Sequence, residues 1–233
     1  MGSKAATTLI KNIRRNLSEP VSDDDLTNAA SGGDWTNTDL LEHLNKAKDR
    51  LWDVVRTVKK DYFEITGNTS LALVSTSRNY ALPATFRELV YLKITTPGYE
   101  TIKFLPLGQE TELFKVLFSD PDAHADSEVL YYDVIGVERI LFANFPPVTL
   151  ATEMGFIAAL ADYTLSASST SDLRDEWAEY IEAYATMLAV GKTPGDSRIA
   201  FWNREIARLE PKVAASVAPR QVRDPEYVEA YNP

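Results

Sequence analysis

The chain has 233 residues, 45% of them apolar and 25% charged, with a net charge of -10. Such a composition can bury a substantial core, and it excludes lasting disorder of the whole chain. The absence of cysteine, with only His43 and His124, removes disulfide scaffolds, thiolate metal sites, cysteine nucleophiles and multi-histidine metal centres; an acidic chain also lacks the Lys and Arg needed to wrap DNA for affinity.

Residues 1–17 are rich in Ser and Thr and carry Lys4, Lys11, Arg14 and Arg15, without the unbroken apolar stretch of a signal peptide. No window approaches the roughly 20 apolar residues of a bilayer span, so a soluble, cytoplasmically made protein is expected. Thr7–Leu17 places Leu9, Ile10, Ile13 and Leu17 on one helical face, with Lys11, Arg14 and Arg15 on the other. Pro20 is expected to end this helix. Residues 21–33, with Asp23, Asp24, Asp25, Gly32 and Gly33, read as a solvated loop or linker; the glycine and glutamate spacing of a calcium loop is missing.

Thr36–Lys60 is a long helix with Leu40, Leu41, Leu44, Ala47, Leu51, Trp52, Val55 and Val58 as its stripe. Either Thr36 with Asp39 or Asp39 with Glu42 has capping-box spacing, and Trp35 is placed for a hydrophobic staple. The middle of the chain then turns β-like. Ser70–Val74, Arg78–Leu82 and Leu89–Thr95 are rich in β-branched and aromatic residues, and Pro97-Gly98 marks a turn. Glu110–Phe118 is a short helix, Val129–Ile135 and Glu138–Phe142 a hairpin around Gly136, and Val148–Leu165 a further strand. One antiparallel sheet of about five strands is expected.

Leu173, Trp177, Tyr180, Ile181, Tyr184, Met187 and Leu188 form a second helical stripe, and Ile199, Trp202, Ile206, Leu209 and Val213 a third. Gly191 is placed just past a helix end, with Thr193 as the next N-cap and Pro194 in the first turn. Trp52, Trp177 and Trp202 lie on stripes and are expected in the core. The fold class is therefore α+β: residues 1–66 supply N-terminal helices of a bundle, 67–168 an inserted antiparallel β-rich region, 169–217 the C-terminal helices, and 218–233 an extended tail. In that tail Arg220, Arg223, Tyr227 and Tyr231 join no stripe and suit docking in a partner's groove.

Catalytic motifs are weak. Gly191-Lys192-Thr193 resembles the end of a phosphate loop but lacks the earlier glycine, Thr186 standing there, and follows a helix rather than a strand. His43 has no second histidine four residues on and is expected at the surface or a helix interface, and no Gly-x-Ser-x-Gly elbow exists for a triad with His124. Among the acidic residues, Glu153 comes nearest to an isolated carboxyl in an apolar run, with a solvent-facing strand position as the cheaper account. No catalytic residue, metal site or cofactor is expected.

The ordered segments resemble the head–tail connector (adaptor, or head-completion) proteins of tailed bacteriophages. The likeness rests on Thr8–Leu17, Trp35-Thr36, Asp39–Asn45, Tyr80–Leu89, Pro146-Pro147, Tyr163–Ser169 and Phe201–Glu205, and covers about residues 7–217. It implies a non-enzymatic structural virion protein at the capsid–tail junction. Such a protein forms a ring, usually twelve-fold, beneath the portal, docks there by a C-terminal extension, extends the DNA channel without specific DNA binding, and presents a platform to the next tail or neck protein, with no membrane partner. A tail-terminator or other neck ring protein is the alternative, and a cell-wall glycosidase acting through carboxylates the opposing class.

Overall fold

The computed structural model describes residues 4–19, 34–120, 128–166, 169 and 173–218. The expected linker at 21–33, the loop holding His124, and the tail with Arg220, Arg223, Tyr227 and Tyr231 lie outside the described residues. The chain divides into two compact units, one of Met1–Lys60 with Tyr163–Pro233 and one of Asp61–Asp162. The combination of helices and sheets is α+β, as expected.

In the first unit, α1 (Ala6–Leu17) buries the expected Leu9, Ile10, Ile13 and Leu17. It stops before Pro20 is reached. Ser18 turns left-handed at φ 62°, and the amides of Ser18 and Glu19 donate to the carbonyls of Arg15 and Arg14 at 3.1 and 3.0 Å. These bonds satisfy carbonyls that the last helical turn leaves free. Arg14, expected on the solvent face, is instead buried.

Helix α2 (Asn37–Val58) starts with the first of the two possible capping boxes. The Thr36 hydroxyl accepts from the Asp39 amide at 3.1 Å, and the Asp39 carboxylate accepts from the Thr36 amide at 3.3 Å. A one-turn 3-10 segment, Asp175–Trp177, leads into α4 (Ala178–Gly191), and α5 (Arg198–Val217) follows. Helix α4 is the centre of the unit: α1, α2 and α5 all pack on it. Its buried Ala183, Ala185 and Ala189 let neighbouring backbones approach.

Gly191 closes α4 from within, and Thr193 does not cap α5. Gly195 adopts φ 78°, a left-handed conformation that no helix continues. The helix therefore begins after it, with Ser197 at the N-cap. Of the three tryptophans assigned to the core, Trp177 is fully buried and donates from Nε1 to the Ser216 hydroxyl at 2.8 Å. Trp52 and Trp202 are only half-buried. Trp52 lies beneath the Arg56 guanidinium, 4.7 Å from the ring centre, and Trp202 meets exposed Phe201 edge-on at 5.1 Å.

The second unit holds eight strands among the described residues, in two four-stranded sheets rather than one sheet of five. Its spine is β8 (Leu150–Ala158), which ends well short of the expected Leu165. On one side it pairs with β4 (Phe86–Ile94); it also pairs with β1 (Glu64–Asn68) and β2 (Ala72–Leu73), all antiparallel. The other sheet runs β3 (Asn79–Ala81), β7 (Arg139–Phe142), β6 (Val129–Ile135), β5 (Lys103–Pro106). The β6–β7 hairpin turns at Gly136, φ 61°. The β5–β6 pair is parallel, so the region is not wholly antiparallel. Both sheets feed one core, with Phe86, Met154 and Phe156 from the first and Leu130, Ile140 and Phe142 from the second.

Candidate functional site

Every catalytic candidate in the described residues has a structural occupation. His43 is buried at 4% exposure, inside rather than on the surface, and neither ring nitrogen finds a hydrogen-bond partner. The Trp35 ring meets it edge-on with centroids 6.1 Å apart. Burial first, then the charges of Lys192 and Lys46, pull its pKa below the ordinary histidine value, so a neutral imidazole is favoured. Lys192, from the phosphate-loop-like triplet, is tied to Asp39 at 3.1 Å and lies 5.1 Å from the Trp35 ring centre. Hydrogen bonds from Thr36 and then Lys192 bring the Asp39 carboxyl down to about 2. These contacts join the start of α2 to the end of α4, and the triplet serves as a helix terminus rather than a phosphate cradle.

Glu153 of β8 is half-buried and accepts from the Tyr91 hydroxyl at 2.6 Å. The same hydroxyl accepts from the Gly67 amide at 3.3 Å. Tyr91 stands opposite Gly155 across the β4–β8 pair, and its ring occupies the space a Cβ would need. The carboxylate thus anchors an aromatic ring. Among the described residues, no group of three or more His, Asp and Glu could hold a metal ion.

Two polar clamps were not legible as sites. Arg14 donates to Asn37 Oδ1 from Nε at 3.2 Å and Nη2 at 2.7 Å, to the Trp35 carbonyl at 2.8 Å, and to Glu19 at 2.5 Å. Glu19 in turn accepts from the Trp35 amide at 3.1 Å. The chain positions flanking residues 20–33 are thereby held together. In the β unit, Arg78 lies 3.7 Å from the centre of the Phe118 ring and 5.0 Å from that of Phe145. It also donates to the carbonyls of Phe118 at 2.7 Å and Ala143 at 3.3 Å. A cation at the last turn of a helix meets the negative end of its dipole.

That helix is α3 (Glu112–Ser119), capped by the Thr111 side chain. Phe114 and Leu117 are buried against Ala143, Leu107, Tyr131 and Leu141. On a second face Leu113 and Val116 stand 49% and 58% exposed. Glu112, Lys115 and Ser119 form its polar face, so Leu113 and Val116 extend the apolar face beyond what Ala143 and its neighbours cover. Among the described residues, the ten exposed large hydrophobics fall unevenly: all but Val58 and Phe201 belong to the β unit. Uncovered apolar surface of this kind suits contact with a partner macromolecule. Five apolar residues in the eight of α3 were the available signal for it.

The described geometry thus offers faces for binding. No helix among the described residues is long and apolar enough to cross a membrane. A family model described as SU10 adaptor protein matches residues 5–223. The match takes in both units and reaches Arg220 and Arg223, while Tyr227 and Tyr231 lie beyond it. No curated protein matches the chain.

Proposed function

From the premise that the chain belongs to the SU10 adaptor protein family, and is a phage structural adaptor, we propose that it is the head-to-tail adaptor in the neck of a tailed-phage virion. The observation that carries this is the extent of the family match, which runs from α1 through α5. In this role, copies of the chain close into a ring, twelve-fold as in the connectors it resembles, beneath the portal. The net charge of -10 supports a channel wall that repels phosphate and lets DNA slide. The open face of α3 supports a platform for the next tail or neck protein. Residues 218–233 dock on the portal, with Arg220 and Arg223 pairing with acidic groups and Tyr227 and Tyr231 supplying buried area. The role is non-catalytic and needs no cofactor.

The test is a chain ending at Val217. It keeps the five helices and eight strands of the described residues, so it melts with the parent, yet it fails to join portal-bearing heads. Undiminished attachment refutes the docking role. An image of the virion neck tests the rest: density for this chain around the tail tube, away from the portal, would identify a tail-terminator instead.

A further inference from the structure

Helices α2 and α5 both pack on α4 but diverge from each other. Between them lies an open furrow of about 360 Å³. Its apolar lining comes from Val54 and Val58 of α2 and from Pro211 and Ala214 of α5, and Arg50 and Glu210 also line it. The latter two are paired across it at 3.2 Å. Val58 is 39% exposed although it follows Leu51 and Val55 on the same stripe, both fully buried. Arg50 faces Glu210 while Val58 shares the furrow with Ala214, so the two helices run in the same direction and bring their C-terminal ends to the same end of it.

The chain leaves α5 at Val217, one turn past Ala214, and fifteen residues follow Ala218. Extended, they reach up to about 50 Å, far more than a return into the furrow requires. Their two cations, Arg220 and Arg223, come directly after the end of α5, and Tyr227 and Tyr231 come further on. We propose that in the free protein residues 219–233 fold back into the furrow between α2 and α5 of their own chain. The tyrosines cover Val58, Pro211 and Ala214. A tethered segment acts at millimolar effective concentration, an advantage that a second copy's segment lacks. The proposal rests on the reading of this segment as a docking element and adds its regulation: anchors held in the furrow are withheld from the portal until the portal competes for them.

Because the chain has no cysteine, two spin labels can be placed without background, at Asp53→Cys on the exposed side of α2 and at Ala230→Cys. Pulsed electron resonance on the full chain should show one narrow, short distance population. Dilution of the doubly labelled protein into unlabelled protein should leave it unchanged. It should be lost when the furrow carries Val58→Asp with Ala214→Asp, both at positions open enough to keep the fold, and equally when Tyr227→Ser is combined with Tyr231→Ser. A broad distribution in the parent overturns the proposal. So does a short population that dilution removes, which would mean a second copy's segment, or one that survives both pairs of substitutions. None of these measurements involves the portal, so this inference can fail while the attachment test on heads succeeds, and the reverse.

Discussion

Gly155→Ala tests the β4–β8 pairing at a single atom. A Cβ placed on Gly155 would lie 2.1 Å from Tyr91 Cε1, 2.4 Å from Cδ1 and 2.8 Å from Cζ. Real Cβ atoms do not approach so closely, so the ring must leave. Its hydroxyl is held by Glu153 at 2.6 Å and the Gly67 amide at 3.3 Å, so the ring cannot shift while keeping those bonds. Overpacking costs about 1–3 kcal/mol, and water can replace the two hydrogen bonds of the exposed hydroxyl. Against this, Ala in a strand gains about 0.5–1 kcal/mol over Gly through the unfolded chain. The net expectation is a loss of up to about 2.5 kcal/mol, which for a unit of this size lowers Tm by up to roughly 10–20 °C. The decisive comparison is the double-mutant cycle measured by denaturant unfolding. With Tyr91→Ala already present, the space is open, and Gly155→Ala should become neutral or slightly stabilising. If Gly155→Ala costs the same with and without the Tyr91 ring, the ring is not what requires the glycine and the argument fails.

In the helical unit, Trp177→Ala should cost about 3–5 kcal/mol as a fully buried aromatic, whereas half-buried Trp202 should cost clearly less in the same melts; equal losses would contradict the burial pattern. Arg14→Ala leaves the Glu19 carboxylate and Asn37 Oδ1 without their buried cation and should cost about 3–5 kcal/mol, with Arg14→Lys recovering little because one ammonium cannot reproduce a planar fork that bonds three partners; full recovery by Lys in unfolding titrations would reject the bidentate account. For His43 the folded-state pKa is lowered, so the unfolded state takes up the proton first. Its contribution to stability is present above the unfolded value of about 6.5 and is lost as pH falls through that value. The chain should therefore lose stability on acidification through that window, and His43→Phe should flatten this part of the profile; an unchanged slope would show that His43 is not the group responsible.

The helices and the hairpin were legible because their causes are local. Leu9, Ile10, Ile13 and Leu17 recur at the helical period, Thr36 and Asp39 stand at capping distance, and the β6–β7 hairpin closes over three residues around Gly136. The family likeness was likewise carried by the order of such segments. Tertiary structure decided whatever depended on a distant partner. Strand β1 reads Glu-Ile-Thr-Gly-Asn, without a β pattern of its own, and becomes a strand because β8 supplies the hydrogen bonds. Lys103–Pro106 is a strand for the same reason, through its parallel pairing with β6, and the expected single sheet becomes two because β3, β7, β6 and β5 pair among themselves rather than with β8 and its neighbours. Arg14 is polar by composition and interior by geometry, since Trp35 and Asn37 bring the acceptors that make burying a guanidinium tolerable. The open faces on α3 and between α2 and α5 could not be read from periodicity, which marks which residues are apolar and leaves to packing which of them are covered.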